Sequence, residues 1–186
     1  MQFEQTALSR EMQRAIQDMG FTEMTEVQEK TIPEMMEGKD VIAKAPTGTG
    51  KTCAFGVPII ERIDGESDAL QCLILAPTRE LTSQITEDMR AMAKYKEGLR
   101  IVSVYGGQSM QRQIEHLKKK PQIIVATPGR LLDHIKRKTV KLHALKTVVL
   151  DEADEMLDMG FIKDVTNILD RCPKKKQVVM FSATIS

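Results

Sequence analysis

Tryptophan is absent from this sequence and other aromatics are sparse, with two Tyr and five Phe making up 4% of the residues. A core built from it must rest on aliphatic side chains and on the 12 Met, whose scatter suits gap filling rather than ligation. An excess of charge of one sign is also lacking. The 27 Lys and Arg nearly balance the 26 Asp and Glu, and a net charge of +1 says nothing about a polyanionic partner. Any surface for nucleic acid must therefore be local. The cysteines Cys53, Cys72 and Cys172 are isolated, with no C-x-x-C pair, and His116, His134 and His143 share no ligand spacing with them. A disulfide scaffold is excluded, and a reduced interior without structural metal is expected. No run approaches membrane-spanning length, and the first residues show neither a basic n-region nor an apolar h-region. The cytoplasm is the expected compartment.

What is present is an alternating pattern. Short apolar runs recur at Val41 to Ala43, Cys72 to Ala76, Ile101 to Val104, Ile123 to Ala126, Val148 to Leu150 and Val178 to Phe181. They are continuous, as expected of strands covered on both faces. Helical spacing fills the intervals. Leu8, Met12, Ile16 and Met19 share a face closed by Gly20; Leu81, Ile85, Met89 and Met92 share another, as do Met110, Ile114 and Leu117. The 186 residues predict one α/β domain over 1–186, a mostly parallel central sheet with helices on both faces. The runs Lys118 to Lys120 and Lys174 to Lys176 adjoin Pro121 and Pro173 and read as solvated turns, with phosphate contact a distant second. Parallel strands present their carboxyl ends on one rim, where ligands of such sheets bind. The segments that carry chemistry all begin directly after one of the apolar runs.

Ala45-Pro46-Thr47-Gly48-Thr49-Gly50-Lys51-Thr52 follows the first run and precedes a helix. Its glycines let backbone N–H groups turn towards phosphate oxygens, and a helix N-terminus adds roughly 0.3–1 kcal/mol of favourable field. Lys51 would reach the β and γ phosphates, and the Thr52 hydroxyl would bind Mg²⁺. A Gly-rich connecting turn is the plain alternative, which Gly-Lys-Thr in a strand–loop–helix setting disfavours. Asp151-Glu152-Ala153-Asp154 follows Val148 to Leu150. Asp151 then reads as a strand-end carboxylate for Mg²⁺, and Glu152 as a residue that orients and deprotonates an attacking water. Acidic residues also suit a helix N-terminus for dipole reasons alone, and the phosphate loop on the same rim decides between the two accounts.

Asp-Glu-Ala-Asp at 151–154, together with the loop at 45–52, resembles the DEAD-box RNA helicases, a branch of helicase superfamily 2. The resemblance covers nearly the whole chain. Phe3, Gly20-Phe21 and Gln28 match the adenine-reading Q motif (20–28). Pro77-Thr78-Arg79-Glu80-Leu81, Gly106-Gly107, Thr127-Pro128-Gly129-Arg130 and Ser182-Ala183-Thr184 match motifs Ia, GG, Ib and III in their usual order. The resemblance implies an N-terminal RecA-like domain that binds ATP and Mg²⁺. It implies that Gln28 reads the adenine edge, with Phe21 packing on the base, and that Ala45, Thr47, Gly48, Thr49, Gly50, Lys51 and Thr52 hold the nucleotide. Catalysis would fall to Lys51, Asp151 and Glu152, with Thr52 and Asp151 on the metal. Pro77, Thr78, Arg79, Gly106, Gly107, Thr127, Pro128, Gly129 and Arg130 would hold the RNA backbone. Asp154, Ser182 and Thr184 would couple the nucleotide site to strand separation.

Helix starts, Gly-Gly amides and Arg79 and Arg130 suit phosphate oxygens chemically, though taken alone Thr-Pro-Gly-Arg reads first as a simple capped turn. Two positions depart from the family pattern: Met24 stands where proline is usual, and Thr82 replaces a common alanine. The resemblance further implies a linker and a second RecA-like domain after Ser186, carrying arginines that complete the ATP site, so the chain alone should hardly turn over ATP. Two rival readings remain, a DNA translocase of the same superfamily and a non-catalytic, nucleotide-gated RNA scaffold.

Overall fold

Every apolar run forms a strand in the computed structural model, which describes residues 1–46 and 50–184. The strands are β1 (Val41–Lys44), β2 (Cys72–Leu75), β3 (Ile101–Val104), β4 (Ile123–Ala126), β5 (Thr147–Leu150) and β6 (Gln177–Ser182). They lie in the order β1-β6-β5-β2-β4-β3, and every neighbouring pair is parallel. Parallel neighbours need crossovers, and helices supply them. α1 (Arg10–Asp18), α2 (Glu26–Met36), α3 (Lys51–Arg62) and α4 (Arg79–Met92) cover one face, meeting Ile74, Val125 and Val149. α5 (Met110–Leu117), α6 (Pro128–Lys136), α7 (Ala153–Asp158) and α8 (Ile162–Arg171) cover the other, meeting Leu73, Leu75, Ile124 and Val148. The period-two alternation of strand side chains thus divides the interior into two apolar layers.

The helix starts follow from local chemistry. Ser9, Thr25, Thr78 and Ser109 each accept a hydrogen bond from the third amide of α1, α2, α4 and α5, worth about 1 kcal/mol apiece. Gly20, with φ +86°, closes the end of α1. All three cysteines are buried and unpaired, and burial pushes the Cys53 thiol up to about 12 and the Cys172 thiol up to about 11. At neutral pH both are inert thiols.

Two expectations need adjusting. β2, β4 and β5 are buried along their whole length, but β1 and β6 alternate. Ile42 is 70% exposed, because β1 is an edge strand with one face uncovered. On α5, Met110 and Ile114 are only half-buried, whereas Gln113 is wholly buried. A polar residue fills a place that the spacing gave to apolar ones.

Candidate active site

Four backbone amides extend the sheet one residue past its strands and define the carboxyl rim. Ala45 N–H donates to Ser182 O (2.9 Å), Ala76 to Ala126 O (3.0 Å), Thr127 to Val104 O (3.1 Å) and Asp151 to Leu75 O (2.9 Å). The sheet itself therefore brings the segments beginning at 45, 77, 127 and 151, and the end of β6, to one edge. Thr47, Gly48 and Thr49 lie outside the described residues.

At that edge Lys51, the first residue of α3, points its ammonium at the end of β5. Nζ lies 3.0 Å from Asp151 Oδ1 and 3.5 Å from Glu152 Oε2. The pair is nearly dry, with side-chain exposures of 7% for Lys51 and 0% for Asp151. Burial pushes the Asp151 carboxyl above its ordinary value, against the opposing pull of Lys51. Oδ1 also accepts the Glu152 N–H at 2.9 Å, while Oδ2 is buried with no hydrogen-bond partner among the described residues. An orphaned carboxylate oxygen beside a phosphate-type loop fits a divalent cation, which takes hard oxygen ligands. Thr52, half-buried in the first turn of α3, carries a hydroxyl oxygen whose lone pairs can meet a cation. Glu152 sits in the left-handed region, φ 51° and ψ 52°, a strained place for a residue with a Cβ. That turn aims its side chain back towards Lys51.

Gln28 occupies the floor beside the loop. Its Oε1 accepts the Thr25 N–H at 2.9 Å, and its Nε2 donates to Gly50 O at 3.0 Å. The residue is 1% exposed, so the amide has a fixed orientation. Gly50 has φ +75°, and a Cβ there would come within 2.5 Å of Gln28 Nε2. Phe21 is 37% exposed and lines a hollow with Phe3, Gln13 and Gln17. Met24 is buried in the α1–α4 layer.

Further along the rim, Thr78 caps α4 through its hydroxyl, and Pro77 is buried beneath it. The Arg79 guanidinium stacks over the Tyr105 ring at 5.0 Å, directly before Gly106-Gly107. The Thr82 hydroxyl donates to Arg79 O at 2.7 Å, so this departure from the family pattern ties down the arginine's own turn. Gly107 takes φ +85°, and both glycines face open space. Thr127 starts α6 with Pro128 at its first position, but its hydroxyl makes no capping bond. Gly129 is half-exposed. Arg130 turns inward, donating from Nη1 to Gln108 O (2.8 Å) and Gln113 Oε1 (3.2 Å).

Gln113 is the residue that motif reading missed. Its Nε2 donates to Tyr105 O (2.8 Å) and Gln108 Oε1 (2.9 Å), and its Oε1 meets His134 Nε2 at 2.8 Å. His134 in turn meets the Thr139 hydroxyl at 2.8 Å through Nδ1. Burial, helped by the charges of Arg130 and Arg137, pushes its imidazole down to about 4. The ring is neutral, with its proton on Nε2 facing the Gln113 carbonyl. One buried amide therefore joins the Gly106-Gly107 segment to Arg130. The only hint in the sequence was a glutamine on the apolar side of a short helix.

Asp154, on α7, faces the end of β6. Its Oδ2 accepts both the Thr184 N–H (3.2 Å) and the Thr184 hydroxyl (3.0 Å), while Oδ1 is buried without a partner among the described residues. Burial alone would raise the carboxyl, but the Thr184 hydrogen bonds and nearby backbone amides hold it below its ordinary value. Ser182 takes part through its backbone, whose carbonyl holds Ala45 at the entry to the phosphate-type loop.

The sequence and the fold have known relatives. The family model described as DEAD/DEAH box helicase matches residues 25–186. A protein described as ATP-dependent RNA helicase CshA from Listeria monocytogenes is 52% identical over 183 residues, covering 98% of this chain and 35% of that protein. The DEAD-box ATP-dependent RNA helicase CshA of Geobacillus kaustophilus is 51% identical over 183 residues, covering 98% and 39%. The chain thus spans little more than a third of the length of these relatives. A crystal structure of a DEAD box protein from the hyperthermophile Methanococcus jannaschii superposes with a TM-score of 0.95 at 43% identity, covering 100% of this chain and 51% of that one. With the fold, the order of rim segments and the family model in agreement, the chain belongs to the DEAD/DEAH box helicase family.

Proposed function

We propose that residues 1–186 form the N-terminal, ATP-binding RecA-like half of an ATP-dependent RNA helicase. The observation that carries this reading is the convergence of Lys51 Nζ on Asp151 Oδ1 at 3.0 Å, beside an Oδ2 that has no partner among the described residues. Lys51 would follow the β and γ phosphates when a nucleotide enters. Gln28 would read the adenine edge, with Phe21 against the base. Thr52 and Asp151 would hold Mg²⁺, which supplies charge neutralisation on the phosphates. Glu152 would orient the attacking water and accept its proton.

The RNA backbone would run across Pro77, Thr78, Arg79, Gly106, Gly107 and Thr127 to Arg130. These groups offer amides, hydroxyls and cations and read no bases. Asp154, bonded to Thr184, would pass the state of the nucleotide site to the end of β6. A second RecA-like domain of the same protein would complete the ATP site with arginines, a contribution worth ~10³–10⁵ in rate. Joining of the two halves by ATP and RNA would bend one strand of a short duplex, and hydrolysis would release it. No helix among the described residues is long and apolar enough to cross a membrane, in keeping with action in the cytoplasm.

The test compares the chain alone with a longer protein carrying the second domain. The longer protein should hydrolyse ATP with stimulation by RNA and not by DNA, and separate short RNA duplexes. The chain alone should be nearly inert. Equal stimulation by DNA would favour a translocase, and salt-dependent RNA binding without any hydrolysis by the longer protein would favour a scaffold.

A further inference from the structure

On the rim opposite the nucleotide site, at the amino ends of β2 and β4, lies an open groove of about 610 Å³. Its floor is aliphatic: Leu70, Ile114, Leu117, Pro121, Ile124 and Val140. Its walls carry Lys118, Lys120, Lys138, Lys141 and His143, all exposed. Asp68, the acidic residue in the lining, is already paired with Arg100 at 2.9 Å. Lys118 is paired with Glu115 at 3.0 Å, but no ion pair among the described residues involves Lys120, Lys138 or Lys141.

The backbone adds a second observation. Among the described residues three non-glycine positions have positive φ: Glu152 at 51°, Lys120 at 56° and Lys138 at 63°. The first belongs to the candidate active site; the other two are lysines on the walls of this groove. Both follow helix ends, Lys120 donating its N–H to Leu117 O (3.0 Å) and Lys138 to Ile135 O (3.0 Å). Such positions favour glycine. Lys138 directly follows the cap residue of its helix, as Gly20, Gly38 and Gly160 do at the ends of α1, α2 and α7, and Lys120 lies one residue further past the cap of α5. A Cβ at 120 and 138 therefore carries backbone strain.

We propose that this groove is a docking surface for an acidic amphipathic segment of a partner protein, with apolar side chains seated on the aliphatic floor and carboxylates on Lys120, Lys138 and Lys141. Charge complementarity selects the acidic partner. The lining contains no Phe, Tyr or Trp on which a base could stack, its one ring is the exposed His143 imidazole on the wall, and its floor is built of aliphatics. These features favour apolar side chains over nucleobases. The surface is independent of the nucleotide rim, so occupation need not compete with ATP.

A fluorescein-labelled peptide of repeating Asp-Leu-Glu-Leu units, titrated against the protein, tests this. Binding should weaken with added salt, shift the methyl resonances of Ile114 and Val140, and fall at least tenfold in the K120G/K138G double variant. That variant should keep or raise its Tm and bind nucleotide as before. Failure of the peptide to bind the unaltered protein overturns the proposal, as does undiminished binding by the double variant. So does loss of binding with a lowered Tm, which would make the two lysines part of the fold. Displacement of those methyl resonances by polyuridylate but not by the peptide would assign the groove to RNA instead, and equally overturn it.

Discussion

The Gln28 amide lies where a side chain on residue 50 would go: its Nε2 donates to Gly50 O at 3.0 Å and sits 2.5 Å from the Cβ an alanine would bring. Gly50 is also at φ +75°, so Gly50→Ala must both strain the loop and expel the amide. Expelling it would leave the Thr25 N–H and Gly50 O unpaired. We expect a loss of about 1–3 kcal/mol in chemical denaturation and a weakened preference for ATP over GTP. Unchanged base preference would separate Gln28 from adenine recognition.

Glu152 holds a left-handed backbone at φ 51° beside Lys51. In the protein joined to its second domain, Glu152→Gln should nearly abolish turnover while ATP affinity stays within a few-fold. Glu152→Gly should abolish it too, yet gain roughly 1 kcal/mol of stability by relieving the backbone. Turnover retained in both would remove Glu152 from the role of base.

How much of this was visible beforehand depends on whether the chemistry is local in sequence. The strands, and the rim segments after them, were legible because each is a contiguous string. An apolar run followed by Gly-Lys-Thr or Asp-Glu carries its own explanation. The edge position of β1 was not, since one exposed Ile42 in an apolar run says nothing about which strand lies beside it. The cluster around Gln113 was hidden for a related reason. Its partners Arg130 and His134 stand 17 and 21 residues away, and only the fold turns a glutamine into a buried junction.

That junction gives a third prediction. Gln113→Leu keeps the volume but leaves Tyr105 O, His134 Nε2–H and one Arg130 donor without their partner. Three stranded polar groups, at roughly 1 kcal/mol or more apiece, should cost about 3 kcal/mol or more. If the junction positions Gly106-Gly107 and Arg130 on RNA, affinity in filter binding should drop by a similar factor for every RNA sequence. Sequence-dependent losses would contradict a backbone role.

The same cluster sets a pH response. His134 is pushed from an ordinary value of 6.5 down to about 4, so the unfolded chain takes up a proton before the folded one does. The stability it contributes is complete above pH 6.5 and is lost as pH falls towards 4. The full loss is on the order of 3 kcal/mol. Urea midpoints measured across that window should fall, and His134→Asn should flatten the slope. A slope of equal size in the variant would place the titrating group elsewhere.

The central claim is that Lys51 and Asp151 face each other across a shared magnesium-bound triphosphate. Titration calorimetry of ATP with and without Mg²⁺, on the unaltered chain and on Asp151→Asn, tests it most directly. The unaltered chain should bind ATP at least tenfold more tightly when Mg²⁺ is present, and the variant should lose most of that dependence. An equal magnesium dependence in both proteins would contradict the account.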